Sequence, residues 1–141
     1  MTIDLTITMT NLGASGGVSY SWLLADGLSA TNISNPPATP SVTSTYAITV
    51  TGANGCTATD DVEVKVDKTA PTANAGSDVT IDCTTTSTTL GASGGVSYSW
   101  SPAAGLSATN ISNPTATPSV TTTYTVTVTG ANGCTATDDV E

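Results

Sequence analysis

Residues 46–66 read YAITVTGANGCTATDDVEVKV and contain two runs of alternating side chains around one turn. Every second position on each side of the turn is apolar: Tyr46, Ile48 and Val50 before it, and Val62, Val64 and Val66 after it. Alternation of this kind is typical of a strand with one buried face and one solvated face. Asn54-Gly55 between the runs is a strong hairpin signal. The stretch therefore predicts an antiparallel hairpin.

The hairpin sequence belongs to a long internal repeat. Residues 2–63 align without a gap on residues 80–141, with eleven differences in 62 positions. Near-identity over such a period is typical of tandem domains. We predict an all-β chain of two tandem antiparallel β-sandwich domains: residues 1–67, a connector 68–71, and residues 72–141. The second copy ends earlier than the first, so we expect a segment of a longer array.

The aromatic side chains follow the same alternation. Val18, Tyr20 and Trp22 share one face of a predicted strand, and the second copy repeats them. We predict that the aromatic residues are core residues: Tyr20, Trp22, Tyr46, Tyr98, Trp100 and Tyr124. The alternative for the two tryptophans is an exposed platform that stacks on sugar rings.

The charge balance restricts the partners. The chain has eleven acidic residues and only two basic ones, Lys65 and Lys68, which gives a formal charge of −9. It has no histidine. A chain with this charge lacks the cations that neutralise phosphate, so we expect no nucleic acid partner. No apolar run reaches the roughly 20 residues of a membrane span, so we expect no membrane insertion. No large unpatterned apolar segment indicates a partner face, so we expect a monomer.

The three cysteines are distributed unequally between the copies. Cys56 and Cys134 are equivalent, whereas the counterpart of Cys83 is Leu5. We predict a Cys83–Cys134 disulfide in the second copy and a free Cys56 thiol in the first, with unpaired buried thiols as the alternative. A disulfide would indicate an oxidising, extracytoplasmic compartment.

The first predicted strand also differs between the copies. Leu5, Ile7 and Met9 replace Cys83, Thr85 and Ser87. We interpret this as an exchange of a covalent bridge for buried apolar area, made either in nature or by engineering.

Acidic residues form the only candidate for a cofactor site. Asp60, Asp61, Asp67 and Asp78 flank the connector, and their hard oxygen ligands suit Ca²⁺. The alternative is a solvated acidic rim. Paired carboxylates also occur in glycosidases, but two domains this small rarely form a substrate cleft. We therefore expect no enzyme activity, and no cofactor other than calcium at this junction.

Several strings together resemble a known repeat type. They are PTANAGSD (71–78), YSWSP (98–102), TPSVTTTY (117–124) and Gly133-Cys134. The chain resembles the immunoglobulin-like, PKD-like repeats of giant cell-surface adhesins of Bacteroidetes, most of all the mobile adhesins of gliding Flavobacterium-type cells. It departs from the PKD pattern after Trp100, where Ser-Pro-Ala-Ala-Gly replaces the usual Asp-Phe-Gly-Asp-Gly.

The resemblance implies an extracellular, cell-surface protein. Its repeats would form the shaft of a filament, with neighbouring repeats of the same chain as partners. It also implies weak multivalent contacts with surfaces or polysaccharide during gliding. A function of another class remains open, namely a pair of carbohydrate-binding modules attached to a secreted polysaccharide hydrolase.

Overall fold

The computed structural model describes residues 1–141 and consists of β-strands, turns and loops without a helix. No helix of the length and apolarity needed to span a membrane is present. The chain forms two compact units, Met1–Lys68 (unit 1) and Thr69–Glu141 (unit 2). The boundary between them falls inside the predicted connector 68–71.

Unit 1 is a sandwich of a four-stranded and a two-stranded sheet. The larger sheet has the order β1-β6-β5-β3, and the smaller sheet pairs β2 with β4. All pairs are antiparallel except β1 with β6, which is parallel. The strands are β1 (Thr2–Ile3), β2 (Thr10–Asn11), β3 (Ser19–Leu23), β4 (Pro37–Ala38), β5 (Ser44–Thr51) and β6 (Thr57–Val66).

Unit 2 repeats this arrangement with fewer paired residues. Its main sheet has the order β11-β10-β8, and β7 pairs with β9 in the small sheet. Every pair is antiparallel. The strands are β7 (Thr88–Thr89), β8 (Ser97–Ser101), β9 (Thr115–Ala116), β10 (Tyr124–Thr129) and β11 (Thr135–Val140).

The hairpin predicted from residues 46–66 is the longest ladder of unit 1. It joins β5 to β6 over eight residue pairs, from Ser44↔Val64 to Thr51↔Thr57. The Gly52 N–H donates to the carbonyl of Cys56 at 2.8 Å and closes the turn. Gly55 has a φ of 80°, which is the left-handed region that glycine adopts without a steric penalty. Turn chemistry and strand alternation therefore act together here.

Each unit encloses its own core, in which residues of the large and small sheets meet. In unit 1 the buried residues are Ile3, Leu12, Trp22, Ala38, Tyr46, Ile48 and Val64. In unit 2 they are Ala75, Leu90, Trp100, Ala116, Tyr124, Val126, Val128 and Val140. Val18 and Val96 share the parity of the tryptophans but are 70% and 69% exposed. They precede β3 and β8, so their parity with the tryptophans does not bring them into the core.

The predicted long first strand of unit 1 is wrong. β1 ends at Ile3, and the Asp4 carboxylate then accepts hydrogen bonds from the Thr6 and Ile7 N–H groups at 2.7 and 2.8 Å. This turn directs the following side chains outward: Leu5, Ile7 and Met9 are 55%, 55% and 52% exposed. The interpretation that these three residues exchange a bridge for buried area is therefore corrected. A local side-chain turn overrides the alternation.

Polar replacement of these residues should cost little stability. We expect Leu5→Thr and Ile7→Thr to change the free energy of unfolding of unit 1 by no more than about 0.5 kcal/mol, because exposed substitutions rarely do more. Leu12→Ala should cost about 2–5 kcal/mol, because Leu12 is only 1% exposed. Urea denaturation of the three variants tests this. A large loss of stability in Leu5→Thr would contradict the exposed position of that side chain.

Candidate functional site

The two tryptophans lie in the cores of their units. Trp22 and Trp100 are 4% and 3% exposed. Each indole N–H donates to a main-chain carbonyl at 2.9 Å, Trp22 to Ile33 and Trp100 to Ile111. A sugar-binding platform needs an exposed ring face, and neither tryptophan presents one.

The tyrosine hydroxyls also bond to the main chain of their own units. Tyr46 donates to the Asp26 carbonyl at 2.9 Å, and Tyr124 donates to the Ala104 carbonyl at 2.8 Å. Burial, together with the nearby Asp26 charge, raises the pKa of Tyr46. The two remaining tyrosines, Tyr20 and Tyr98, are half-buried and donate to the carbonyls of Gly17 and Gly95.

The predicted Cys83–Cys134 disulfide is not formed. All three cysteines are free thiols, with Cys56 and Cys83 exposed and Cys134 buried. Cys134 precedes β11, whereas Cys83 lies beyond the other end of that strand, where the Val79 N–H bonds to the Glu141 carbonyl. The six residues of β11 span roughly 20 Å, and a disulfide requires Cα atoms within about 7 Å. The prediction failed because the positions of the cysteines in the sequence do not show at which end of the last strand residues 79–83 lie.

Thiol alkylation should therefore separate the cysteines by exposure. We expect native protein without reductant to react rapidly at Cys56 and Cys83 and slowly at Cys134, which is 7% exposed. In denaturant without reductant, intact-mass analysis should find three modified cysteines. If Cys83 and Cys134 stay unmodified until reductant is added, the two residues form a disulfide and the free-thiol assignment is wrong.

The calcium site predicted from Asp60, Asp61, Asp67 and Asp78 draws on residues of both units and stays a prediction. Within each unit, no group of three or more carboxylate, thiol or imidazole side chains is placed to hold a metal ion. The Asp60 carboxylate accepts a hydrogen bond from the Asp61 N–H at 2.9 Å, and the Asp78 carboxylate accepts one from the Glu141 N–H at 3.0 Å. Asp67 donates its N–H to the Ile3 carbonyl at 2.9 Å. The contacts of Asp67 and Asp78 lie at the ends of β6 and β11, whereas Asp60 and Asp61 lie within β6.

Two other carboxylates share one turn geometry in the two units. The Asp82 carboxylate accepts from the Thr84 hydroxyl at 2.7 Å and from the Thr84 and Thr85 N–H groups, and Asp4 accepts the equivalent bonds from Thr6 and Ile7. These bonds stabilise the charged form. The Thr84 hydroxyl makes the largest contribution to lowering the pKa of Asp82, and Thr6 has the same role for the pKa of Asp4.

Removing the threonine hydroxyl should raise the pKa of the carboxylate. We expect Thr84→Val to move the pKa of Asp82 towards its ordinary value and to leave the pKa of Asp4 unchanged. Because a depressed folded-state pKa favours the charged form, the contribution of Asp82 to stability is present above pH about 3.9 and is lost as the pH falls through the folded-state value. Carboxyl NMR titration measures both groups at once. An unchanged Asp82 titration would contradict the turn geometry.

One cavity, of about 500 Å³, opens in unit 2 beside Glu141. Its lining includes Cys83, Leu90 and Tyr124. In unit 1, β6 continues past the counterpart of Glu141, and the fully buried Val64 packs there with Ile3.

Sequence reasoning missed the contact between residues 71–76 and the last strand of unit 2. The Ala75 N–H donates to the Asp138 carboxylate at 2.8 Å, and Ala75 is 1% exposed. Asp138 is the counterpart of Asp60, for which a solvated acidic rim is one interpretation of the sequence. Residues 71–78 show no alternation of apolar and polar side chains, so their packing followed only from the tertiary structure.

Comparison with known proteins adds no functional assignment. A scan against protein families found no matching model, and a search of curated proteins found no match. Among solved structures, the human desmocollin-1 ectodomain is 9% identical and matches 88% of this chain and 29% of its own, with a TM-score of 0.33. The extracellular cadherin domains 1–4 of protocadherin gamma B7 are 14% identical and match 86% of this chain and 39% of their own, with a TM-score of 0.34. The chain thus spans less than half of either structure, and likeness at this level carries no argument about function.

Proposed function

We propose that this chain is a structural repeat segment of an extracellular bacterial surface adhesin and acts as a spacer in its shaft. The supporting observation is that both copies use their aromatic side chains for the core. Each tryptophan is buried, and its indole N–H bonds to the main chain. A pair of carbohydrate-binding modules would need these rings at the surface. The proposal includes the absence of enzyme activity.

The strand order of unit 1 suits a part that carries tension. β1 and β6 are adjacent and parallel, with Thr2 opposite Lys65 and Ile3 opposite Val66. The Lys65 N–H donates to the Met1 carbonyl at 2.8 Å, and the Asp67 N–H donates to the Ile3 carbonyl at 2.9 Å. Pulling the two ends of the unit apart slides these strands past each other. The bonds between them are therefore loaded together, in shear.

Force spectroscopy on the whole chain, held by its two ends, tests the mechanical role. Lys65→Pro removes the N–H that bonds to Met1, whereas Lys65→Ala keeps it and serves as the matched control. We expect Lys65→Pro to lower the rupture force of unit 1 and to leave that of unit 2 unchanged. Equal rupture forces for the two variants would show that the hydrogen bond between Lys65 and Met1 does not carry the load.

Tryptophan accessibility separates the spacer from the carbohydrate-binding alternative. We expect weak acrylamide quenching of both tryptophans and no change in their emission with oligosaccharides, because the indoles are buried. Strong quenching by acrylamide, together with saturable quenching by an oligosaccharide, would favour the binding module.

The proposal also places the parent protein outside the cell, as an adhesin used in gliding. This part rests on the resemblance of strings such as PTANAGSD (71–78) to Bacteroidetes adhesin repeats. Because all three cysteines are free thiols, no disulfide supports an oxidising compartment. Surface labelling of cells that express the parent protein, with an antibody against these repeats, tests this part. Labelling only after permeabilisation would refute it.

A further inference from the structure

Identical residues differ in exposure between the two units. Residues 52–63 and 130–141 have the same sequence, GANGCTATDDVE. The stripe of alternate side chains along the last strand is nevertheless more exposed in unit 1. Cys56 and Asp60 are exposed where Cys134 is buried and Asp138 is half-buried. Because the residues are identical, the difference lies in what covers them.

In unit 2 the cover is the extended segment 71–76. Asn74 forms a two-way bridge with Ser93, through hydrogen bonds of 3.2 and 2.9 Å. The Ala75 N–H donates to the Asp138 carboxylate at 2.8 Å, and the Ala75 side chain is 1% exposed. The main chain of Thr72 passes so close to Gly94 that any side chain at Gly94 would overlap it. The segment is thus bound by hydrogen bonds, burial and close backbone approach.

The counterparts of these binding residues form an open surface in unit 1. We call this surface the unit 1 groove and define it by Ser15, Gly16, Cys56, Ala58 and Asp60. All five are exposed. A Cβ added at Gly16 would meet no atom within 4 Å, in contrast to Gly94. The unit 1 groove therefore carries the same binding groups, and no segment within residues 1–141 covers them as residues 71–76 cover their counterparts.

We propose that the unit 1 groove is a docking site for an extended peptide segment with the sequence Pro-Thr-Ala-Asn-Ala-Gly, supplied from outside unit 1. The segment would form a main-chain bridge with Ser15, as Asn74 does with Ser93. It would donate an N–H to Asp60, and its second alanine would be buried where Ala75 is buried in unit 2. This is recognition by strand addition, in which main-chain bonds give affinity and one small pocket gives specificity. The proposal does not depend on the spacer function.

The test uses the intact chain and a synthetic peptide of residues 69–78 with blocked ends. Its readout is the alkylation rate of Cys56, which lies in the unit 1 groove, with the exposed Cys83 of unit 2 as an internal reference. We expect saturating peptide to slow alkylation of Cys56 several-fold and to leave Cys83 unchanged. Equal rates at Cys56 with and without millimolar peptide would overturn the proposal.

Matched variants establish which groups bind. Asp60→Ala should weaken peptide binding about tenfold, because it removes a charged acceptor, while Asp61→Ala removes the same charge from the opposite strand face and should leave binding unchanged. A peptide with tryptophan in place of Ala75 should not protect Cys56. Equal weakening by both variants would indicate non-specific electrostatics and refute the site. Protection of Cys56 that rises with protein concentration without peptide would identify a second copy of the chain as the occupant and would overturn the choice of a separate segment.

Discussion

Trp100→Ala is expected to unfold or nearly unfold unit 2 while unit 1 remains folded. Truncating a buried tryptophan costs about 3–5 kcal/mol. Trp100 is 3% exposed, and its indole N–H satisfies the Ile111 carbonyl, which the variant leaves without that donor. At about 0.05–0.15 kcal/mol per residue, a unit of this size has only about 4–11 kcal/mol of stability. The loss is therefore comparable with the total.

Urea denaturation of Trp100→Ala reports the units separately. Trp22 is then the only tryptophan, so its fluorescence follows unit 1, while far-UV circular dichroism follows both units. Val96→Ala is the matched control, because Val96 has the same parity as Trp100 but precedes β8 and is 69% exposed. Its change in stability should stay within about 0.5 kcal/mol. Equal stability of Trp100→Ala and Val96→Ala would place Trp100 outside the core.

Gly94→Ala is expected to destabilise unit 2 more than Gly16→Ala destabilises unit 1. The two glycines are equivalent and have φ values of 102° and 90°, so alanine suffers a similar left-handed strain of about 1–2 kcal/mol at both. Only at Gly94 would the new methyl group overlap the main chain of Thr72. Expelling that segment should add about 1–3 kcal/mol, the usual cost of overpacking.

The difference between the two free-energy changes measures the contribution of residues 71–76, because the left-handed strain of alanine is similar at both positions and cancels. Urea denaturation gives the two free-energy changes. Alkylation of Cys134 gives an independent readout, since displacement of residues 71–76 should raise its rate towards that of Cys56. If Gly94→Ala costs no more than Gly16→Ala and Cys134 stays protected, residues 71–76 do not cover the last strand.

The sequence by itself determined the strands that form the hairpins and the cores. Tyr46, Ile48 and Val64 alternate with polar residues around Asn54-Gly55, and the structure buries all three. Period-2 alternation and turn chemistry are local properties, and here both favour the same strands and the same register. For the same reason the burial of Trp22 and Trp100 followed from their spacing in the strand.

Only the tertiary structure decided which strands meet and what covers them. In unit 2, Val79 bonds to Glu141 at the far end of β11 from Cys134, which separates Cys83 from Cys134. In unit 1, the turn at Asp4 exposes Leu5 although the alternation continues through it. Identical stretches at residues 52–63 and 130–141 differ in exposure because residues 71–76 lie over one of them. No local pattern records these facts, since burial depends on contacts between residues far apart in the chain.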